Sequence, residues 1–182
     1  MKKAKSLLIF IPSIENGGVE KNLYLIANYL AKTSLSVKIL TAFKDKEKLF
    51  DKKIRIISLK RKNIIIKSRL IKTLITMALF IRYFYNENIV ILSFQSNIVA
   101  ILLGLIFNKK VIIRSNTSPE KYINNTIKKL IIKFFFNLAD EIIVNSNEFK
   151  KRFKIFFLIT PVVIYNPFIG KQGKKIKLNF FN

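Results

Sequence analysis

The chain is 182 residues long, which suits one domain or one domain with part of another, and 51% of it is hydrophobic, which excludes a disordered composition. It contains no Cys and no His, so disulfides, thiolate chemistry, a histidine base, a histidine metal ligand and a Ser-His-Asp triad are all excluded within it. The net charge of +24 attracts polyanions such as nucleic acid, anionic lipid headgroups or phosphorylated substrates, but the wealth of Lys, Ile, Asn and Phe is also what AT-rich coding produces, so the charge guides weakly.

The apolar run 7–11 follows Lys2, Lys3 and Lys5, is too short for a secretory leader and ends at Pro12. Residues 6–11 read as a first strand, followed by a turn over 12–18. Leu23, Ile26, Ala27, Leu30 and Ala31 then recur at helical spacing within 19–32. Residues 36–41 read as a second strand, 44–53 as a charged connection and 54–59 as a third strand. Residues 68–85 are the longest helix candidate, apolar almost all round and therefore expected to be largely covered. Arg69, Lys72 and Arg82 interrupt it, so it does not read as a membrane span. A fourth strand is expected over 89–93, a helix over 97–107 and a fifth strand over 111–114. Ser118-Pro119-Glu120 supplies a Ser cap, a first-position Pro and a first-turn acid, which predicts a helix from there to about residue 138. Residues 141–144 read as a sixth strand, 147–153 as a short helix and 161–164 as a seventh strand.

These strands are continuous hydrophobic runs rather than alternating ones, as parallel strands buried on both faces are. Their alternation with helices predicts an α/β fold with right-handed crossovers: a doubly wound, mainly parallel, Rossmann-like sheet of about seven strands. Residues 1–169 are expected to form the domain. Residues 170–182, rich in Lys, read as a basic tail.

In such sheets ligands bind outside the carboxyl ends of the strands, so the loops after each strand carry the chemistry. After the first strand, Gly17-Gly18 precedes a helix. Paired glycines let backbone N–H groups approach a ligand closely where the helix dipole collects positive charge, which suits a phosphate. A tight structural turn is the plainer reading, and the pattern is not a dinucleotide fingerprint. After the fourth strand come Ser93, Gln95 and Asn97, small or amide-bearing residues that suit a polar ligand, with Ser96 or Asn97 also suited to cap the next helix. After the fifth come Arg114 and Asn116. An Arg directly after a buried strand is costly unless it meets a carboxylate, a phosphate or solvent. After the sixth, Ser146 or Asn147 reads as a helix cap. Asp140 and Glu148 are expected at opposite ends of the sixth strand. The sequence has no DxD pair and no acid-histidine cluster, so no metal site is expected.

Four separated pieces together resemble the N-terminal domain of family 4 glycosyltransferases. They are Ile11-Pro12-Ser13 through Gly17-Gly18-Val19-Glu20-Lys21 into Leu25-Ile26-Ala27-Asn28-Tyr29-Leu30; Val90-Ile91-Leu92-Ser93-Phe94; Ile113-Arg114-Ser115-Asn116-Thr117-Ser118-Pro119; and Ala139-Asp140-Glu141-Ile142-Ile143-Val144-Asn145-Ser146 followed by Val163-Ile164-Tyr165-Asn166-Pro167-Phe168. The resemblance implies one half of a two-domain GT-B enzyme that transfers a sugar with retention from a nucleotide-sugar donor, without a metal or other cofactor. It implies a donor-facing loop at Gly17, Gly18 and Glu20, and acceptor-side loops at Ser93, Gln95, Asn97, Arg114 and Asn116. It assigns no catalytic residue. A further ~150–200 residues, with a basic pair for the diphosphate and a Glu-x7-Glu motif, would complete the fold, so the tail 170–182 reads as the opening of a truncated or separately encoded C-terminal domain. Catalysis by this chain alone is not expected. The implied acceptor is a glycan or a lipid-linked sugar, as in surface-polysaccharide biosynthesis.

The implied location is the cytoplasm, at the inner face of the cytoplasmic membrane. There Lys128, Lys129 and Lys133 alternate with Ile131, Ile132, Phe134, Phe135 and Phe136 to suit peripheral contact with anionic lipid, although the same aromatics suit packing on the sheet. The other readings are a vestigial, non-catalytic fragment and a basic polyanion-binding module. No nucleic-acid motif supports specific nucleic-acid binding.

Overall fold

The computed structural model describes residues 6–15, 17–33, 35–43, 47–59, 66–122 and 125–167. The strands are β1 (Ser6–Phe10), β2 (Ser36–Phe43), β3 (Arg55–Leu59), β4 (Ile89–Ser93), β5 (Lys110–Ser115), β6 (Glu141–Val144) and β7 (Val162–Val163). The helices are α1 (Gly18–Leu30), α2 (Arg69–Phe84), α3 (Asn97–Ile106), α4 (Thr126–Phe136) and α5 (Asn147–Phe157), with single 3-10 turns at Glu47–Leu49 and Pro119–Tyr122. Every strand pairing among the described residues is parallel, in the order β3-β2-β1-β4-β5-β6-β7. This is the doubly wound α/β sheet that the strand-helix alternation predicts.

The chain moves outward from β1 in both directions, so right-handed crossovers place helices on both faces. On one face α1 lays Leu23 and Ala27 over Ile9, Ile11 and Ile39. On the other, α2 to α5 bring Phe80, Phe84, Ile101, Phe136, Phe153 and Phe157 onto Phe10, Ile91, Ile113 and Val144. Burying each such ring contributes about 1.5–3 kcal/mol. α3 sits so close to β5 that a Cβ on Gly104 would fall 2.1 Å from Val111 Cγ2. That contact fixes which side of α3 faces inward.

Three expectations need correction. The helix predicted from Ser118 to residue 138 is a 3-10 turn followed by α4, whose cap is Asn125: its Oδ1 accepts from Ile127 N and Lys128 N. Ser118 caps nothing, since its hydroxyl is buried without a hydrogen-bond partner among the described residues. The short helix from 147 runs on to Phe157, because Phe153 and Phe157 share a face and pack edge-on at 5.4 Å beside Phe136. Finally, α2 is not covered all round. Leu70, Ile71, Leu74 and Ile81 are exposed while Thr76, Leu79, Phe80 and Phe84 are buried. The basic tail 170–182 lies outside the described residues, as does part of the charged connection.

Candidate functional site

The strand order reverses between β1 and β4, the neighbours from which the chain departs in opposite directions. A crevice outside their carboxyl ends follows from that topology. A cleft of about 690 Å³ opens there, walled by the loops after β1, β4 and β5 and by the first turns of α1, α2 and α3. It gathers Gly17, Gly18 and Glu20 with Gln95, Asn97, Arg114 and Asn116. Ser93 lies directly beneath and is fully buried, so it shapes the wall without presenting a surface.

The first turns of two helices face this cleft without side-chain caps. α1 starts from Gly17, extended at φ −120°, which has no side chain to accept from the N–H groups that follow. α3 starts from Ser96 in the left-handed region, φ 54° and ψ 45°. Its hydroxyl lies 3.1 Å from Thr73 Oγ1 and makes no cap to its own helix, which corrects the expected cap. Asn97 Oδ1 instead accepts from Ser93 Oγ at 2.8 Å. A left-handed serine costs energy that the surrounding structure must offset, and such residues concentrate at binding sites. By contrast Ser68, Asn125 and Ser146 cap α2, α4 and α5 with side-chain oxygens. Uncapped first turns present N–H groups and partial positive charge, the combination that binds phosphate oxygens.

Neither glycine of the turn has a positive φ. Close approach matters at Gly17 instead: a Cβ there would sit 2.5 Å from Glu20 Oε2, so the end of that side chain would have to shift. Glu20 is 5% exposed, and its Oε1 accepts from Gln95 Nε2 at 3.2 Å. Gln95 Oε1 in turn accepts from Ser13 N at 3.4 Å, so the β1 and β4 loops are tied through one carboxylate and one amide. A Cβ on Gly18 would meet nothing within 4 Å.

A second cluster spans the rim. Ser13 Oγ donates to Glu15 Oε1 at 2.8 Å, and Lys72 Nζ donates to Ser13 Oγ at 2.8 Å and to Glu15 Oε1 at 3.4 Å. Arg69 stands 3.7 Å from Glu15 Oε2. The Ser13 hydroxyl and then Lys72 hold the Glu15 carboxyl below the usual carboxylate range.

Arg114 is 3% exposed, and burial pushes its guanidinium down from the usual arginine range. It pairs with no carboxylate among the described residues. One terminal nitrogen donates to Asn166 Oδ1 at 2.7 Å and at 3.5 Å to the Ile164 carbonyl, and the Phe94 ring lies 6.0 Å away. Arg114 Nε and the neighbouring Asn116 Nδ2 are buried without hydrogen-bond partners among the described residues. Orphaned buried donors of this kind are rare in native structures. Two donors on one cleft-lining loop suit a ligand rich in acceptor oxygens.

Asp140 and Glu148 lie at opposite ends of β6, as expected: Asp140 Oδ2 accepts from Val111 N, and Glu148 pairs with Arg152. No group of three or more acidic, His or Cys side chains that could hold a metal ion occurs among the described residues. Sequence reasoning missed Arg69, Leu70 and Thr73 as cleft residues. Lys72 registers in the sequence only as a break in an apolar run, and its reach to Ser13 needs the fold. Asn166 sits in the Tyr-Asn-Pro-Phe stretch, but nothing local announces that it receives Arg114.

The family model described as Glycosyltransferase Family 4 matches residues 16–168. The chain belongs to that family. Among solved structures, this family 4 chain is similar to Alr3699/HepE of Anabaena, in complex with UDP and glucose: TM-score 0.61, 18% identity, 91% of this chain and 45% of that one. It is similar to the lipopolysaccharide outer core galactosyltransferase WaaB in its apo form, with TM-score 0.58, 16% identity, 92% of this chain and 47% of that one. It is also similar to UGT2 of Phytolacca americana complexed with UDP-2fluoro-glucose and pterostilbene: TM-score 0.56, 10% identity, 93% and 55% coverage. At these identities the likeness shows the fold, one half of the GT-B architecture. The family 4 chain spans about half the length of these structures. A comparison with curated proteins finds no match.

Proposed function

We propose that this chain is the acceptor-side half of a retaining glycosyltransferase that moves a sugar from a nucleotide-sugar donor to a glycan or lipid-linked acceptor. The observation that carries the reading is the pair of uncapped helix N-termini, α1 and α3, opening on one cleft at the switch point of the sheet. Gly17 and Gly18 face the donor's diphosphate or sugar, with N–H groups of the first turn of α1 within reach of developing negative charge. Glu20 holds Gln95 in place beneath the donor. Gln95, Asn97, Arg114 and Asn116 form the acceptor wall, and Ser93 acts on it through the hydrogen bonds of its hydroxyl to the Gln95 carbonyl and Asn97 Oδ1. Arg114 and Asn116 supply donors for the hydroxyls or anionic group of the acceptor. The reaction as read requires no metal and no cofactor beyond the nucleotide sugar as substrate. Residues 1–169 form this half, and 170–182 open the next. The remaining diphosphate contacts come from a second domain, so the chain alone does not turn over. A nucleotide-sugar donor places the reaction at the cytoplasmic face of the membrane.

The test is amide NMR of the purified chain titrated with UDP and with UDP-sugars. Shifts confined to residues 17–20 and 95–99 are expected. Shifts spread over the surface lysines, with none at Gly18, would overturn the assignment of this cleft.

A further inference from the structure

The helical layer formed by α2, α3 and α4 carries more apolar surface than the sheet uses. α3 has no charged side chain at all. A helix apolar all round is normally covered on every side. Here the close contact of Gly104 with Val111 turns Ala100, Ile101 and Leu103 inward. Leu102, Leu105 and Ile106 therefore face out, Ile106 at 68% exposure. α4 packs beside α3 and adds Ile127, Leu130, Ile131 and Phe134 on its outer face, Phe134 at 62%. α2, on the other side of α3, adds Leu70 and Leu74. α1 on the opposite face of the sheet exposes no large hydrophobic residue. An apolar area of this extent on one face marks an interaction site.

The charges on the same three helices say what covers it. Arg69, Lys72, Arg82, Lys128, Lys129 and Lys133 are all basic, and not one residue of α2, α3 or α4 is acidic. A second copy of the chain would set these cations against themselves across a two-fold axis. A nucleic-acid groove offers nothing to Leu105, Ile106 and Phe134. A surface that is anionic outside and apolar a few ångströms deeper answers both features. We propose that the outward face of α3 and α4, extended by the exposed start of α2, docks on an anionic lipid surface. Leu70, 78% exposed, belongs both to this face and to the lining of the cleft. Docking therefore brings the cleft mouth to the lipid, where the head of a lipid-linked acceptor lies. Only this last step rests on the sugar-transfer reading.

Sedimentation of the 182-residue chain with vesicles tests the docking face without any transfer assay, so its failure leaves the transfer reading standing. The chain should pellet with phosphatidylglycerol–phosphatidylcholine vesicles and stay in solution with phosphatidylcholine alone. Leu105→Glu combined with Phe134→Glu should lower partitioning at least about tenfold while circular dichroism shows an unchanged fold. Lys128→Glu and Lys32→Glu remove the same charge, from α4 and from the far side of the sheet. Lys128→Glu should weaken binding several-fold and Lys32→Glu less than about twofold. Equal losses from the two lysine variants would reduce the effect to net charge and overturn the proposal. So would undiminished binding by the Leu105/Phe134 variant, or a lipid-free dimer that this variant dissociates.

Discussion

At the residue scale the Gly-Gly turn separates structure from function. Gly17 and Gly18 look interchangeable in sequence, yet a Cβ on Gly17 would strike Glu20 Oε2 while one on Gly18 would enter open space. Gly17→Ala must displace a buried carboxylate that holds Gln95, so it should lower stability and disturb the loop after β4. Gly18→Ala should leave the melting midpoint within about 3 °C, since neither steric conflict nor a positive φ opposes it. In a full two-domain enzyme Gly18→Ala should nonetheless cost about 2–3 kcal/mol of transition-state stabilisation, because on the proposed reading its methyl group would stand where the donor approaches the first-turn N–H groups. Thermal melts beside kcat/KM measurements distinguish the two. Loss of activity only in proportion to unfolding would make Gly18 structural, and undiminished transfer would remove the turn from the site. Glu15 gives a prediction in pH. Its folded pKa is lowered by Ser13 and Lys72, so its contribution is present above the unfolded value and fades as pH falls through the folded one. Glu15→Gln should therefore destabilise at neutral pH by less than about 1 kcal/mol, the carboxylate being half exposed. The variant and the parent should converge only as pH falls through that lowered value, below the usual carboxylate range. Urea titrations across that range check it, and a constant difference at every pH would deny the Lys72–Glu15 tie.

At the element scale α4 shows what periodicity resolves and what it does not. Its run of three phenylalanines reads in sequence as either a lipid face or a core face. The helix divides them: Phe136 is 3% exposed and stacks on Phe153 at 6.1 Å, while Phe134 points outward. Phe136→Ala should cost about 3–5 kcal/mol, as large-to-small changes of buried aromatics do. Phe134→Ala should stay within about 0.5 kcal/mol. Chemical denaturation of the pair measures this, and equal losses would contradict the packing. β4 and β6 were legible to the residue, because short β-branched runs bounded by polar residues leave few alternatives. The break at 119–126 was not legible. Ser118-Pro119-Glu120 satisfies the local rules for a helix start, but Asn125 offers a cap again about two turns later and its carbonyl side chain makes the bonds. The glycine turn and the loops after β4 and β5 were found as cleft residues because topology alone puts strand ends at the site. The α2 rim was missed, because Arg69, Leu70 and Thr73 reach the cleft, and Lys72 reaches Ser13, only through the crossover that sets α2 beside β1's loop. The exposure of Leu70 and Leu74 was missed for the same reason: a sequence apolar on all sides does not say which side the sheet takes.

At the scale of the whole molecule the cleft is the feature on which the proposed function rests, and on that reading this chain supplies one of its walls. The chain matches about half of each similar structure, and the uncapped turns of α1 and α3 lie at the carboxyl edge of its sheet. Those turns provide N–H donors, and Arg114 is the one buried cation of that wall among the described residues. One terminal nitrogen of its guanidinium is engaged by Asn166, and Arg69, the other cation lining the cleft, stands 3.7 Å from Glu15 Oε2, so on the proposed reading the diphosphate meets few free cations here. Sugar transfer needs charge stabilisation aimed at the diphosphate from more than one direction, in a space closed to water. A lone half with an open cleft supplies neither. The purified chain is therefore expected to bind UDP weakly and to show no transfer from any UDP-sugar above the buffer rate. Mixed with a separately expressed C-terminal domain carrying the missing diphosphate contacts, it should regain transfer, and Gly18→Ala should abolish most of what is regained. Product formation followed by mass spectrometry, with each half alone as the control, reads all three outcomes. Robust turnover by the 182-residue chain would mean that its own cleft closes over the donor, and the division of labour proposed between two domains would fall.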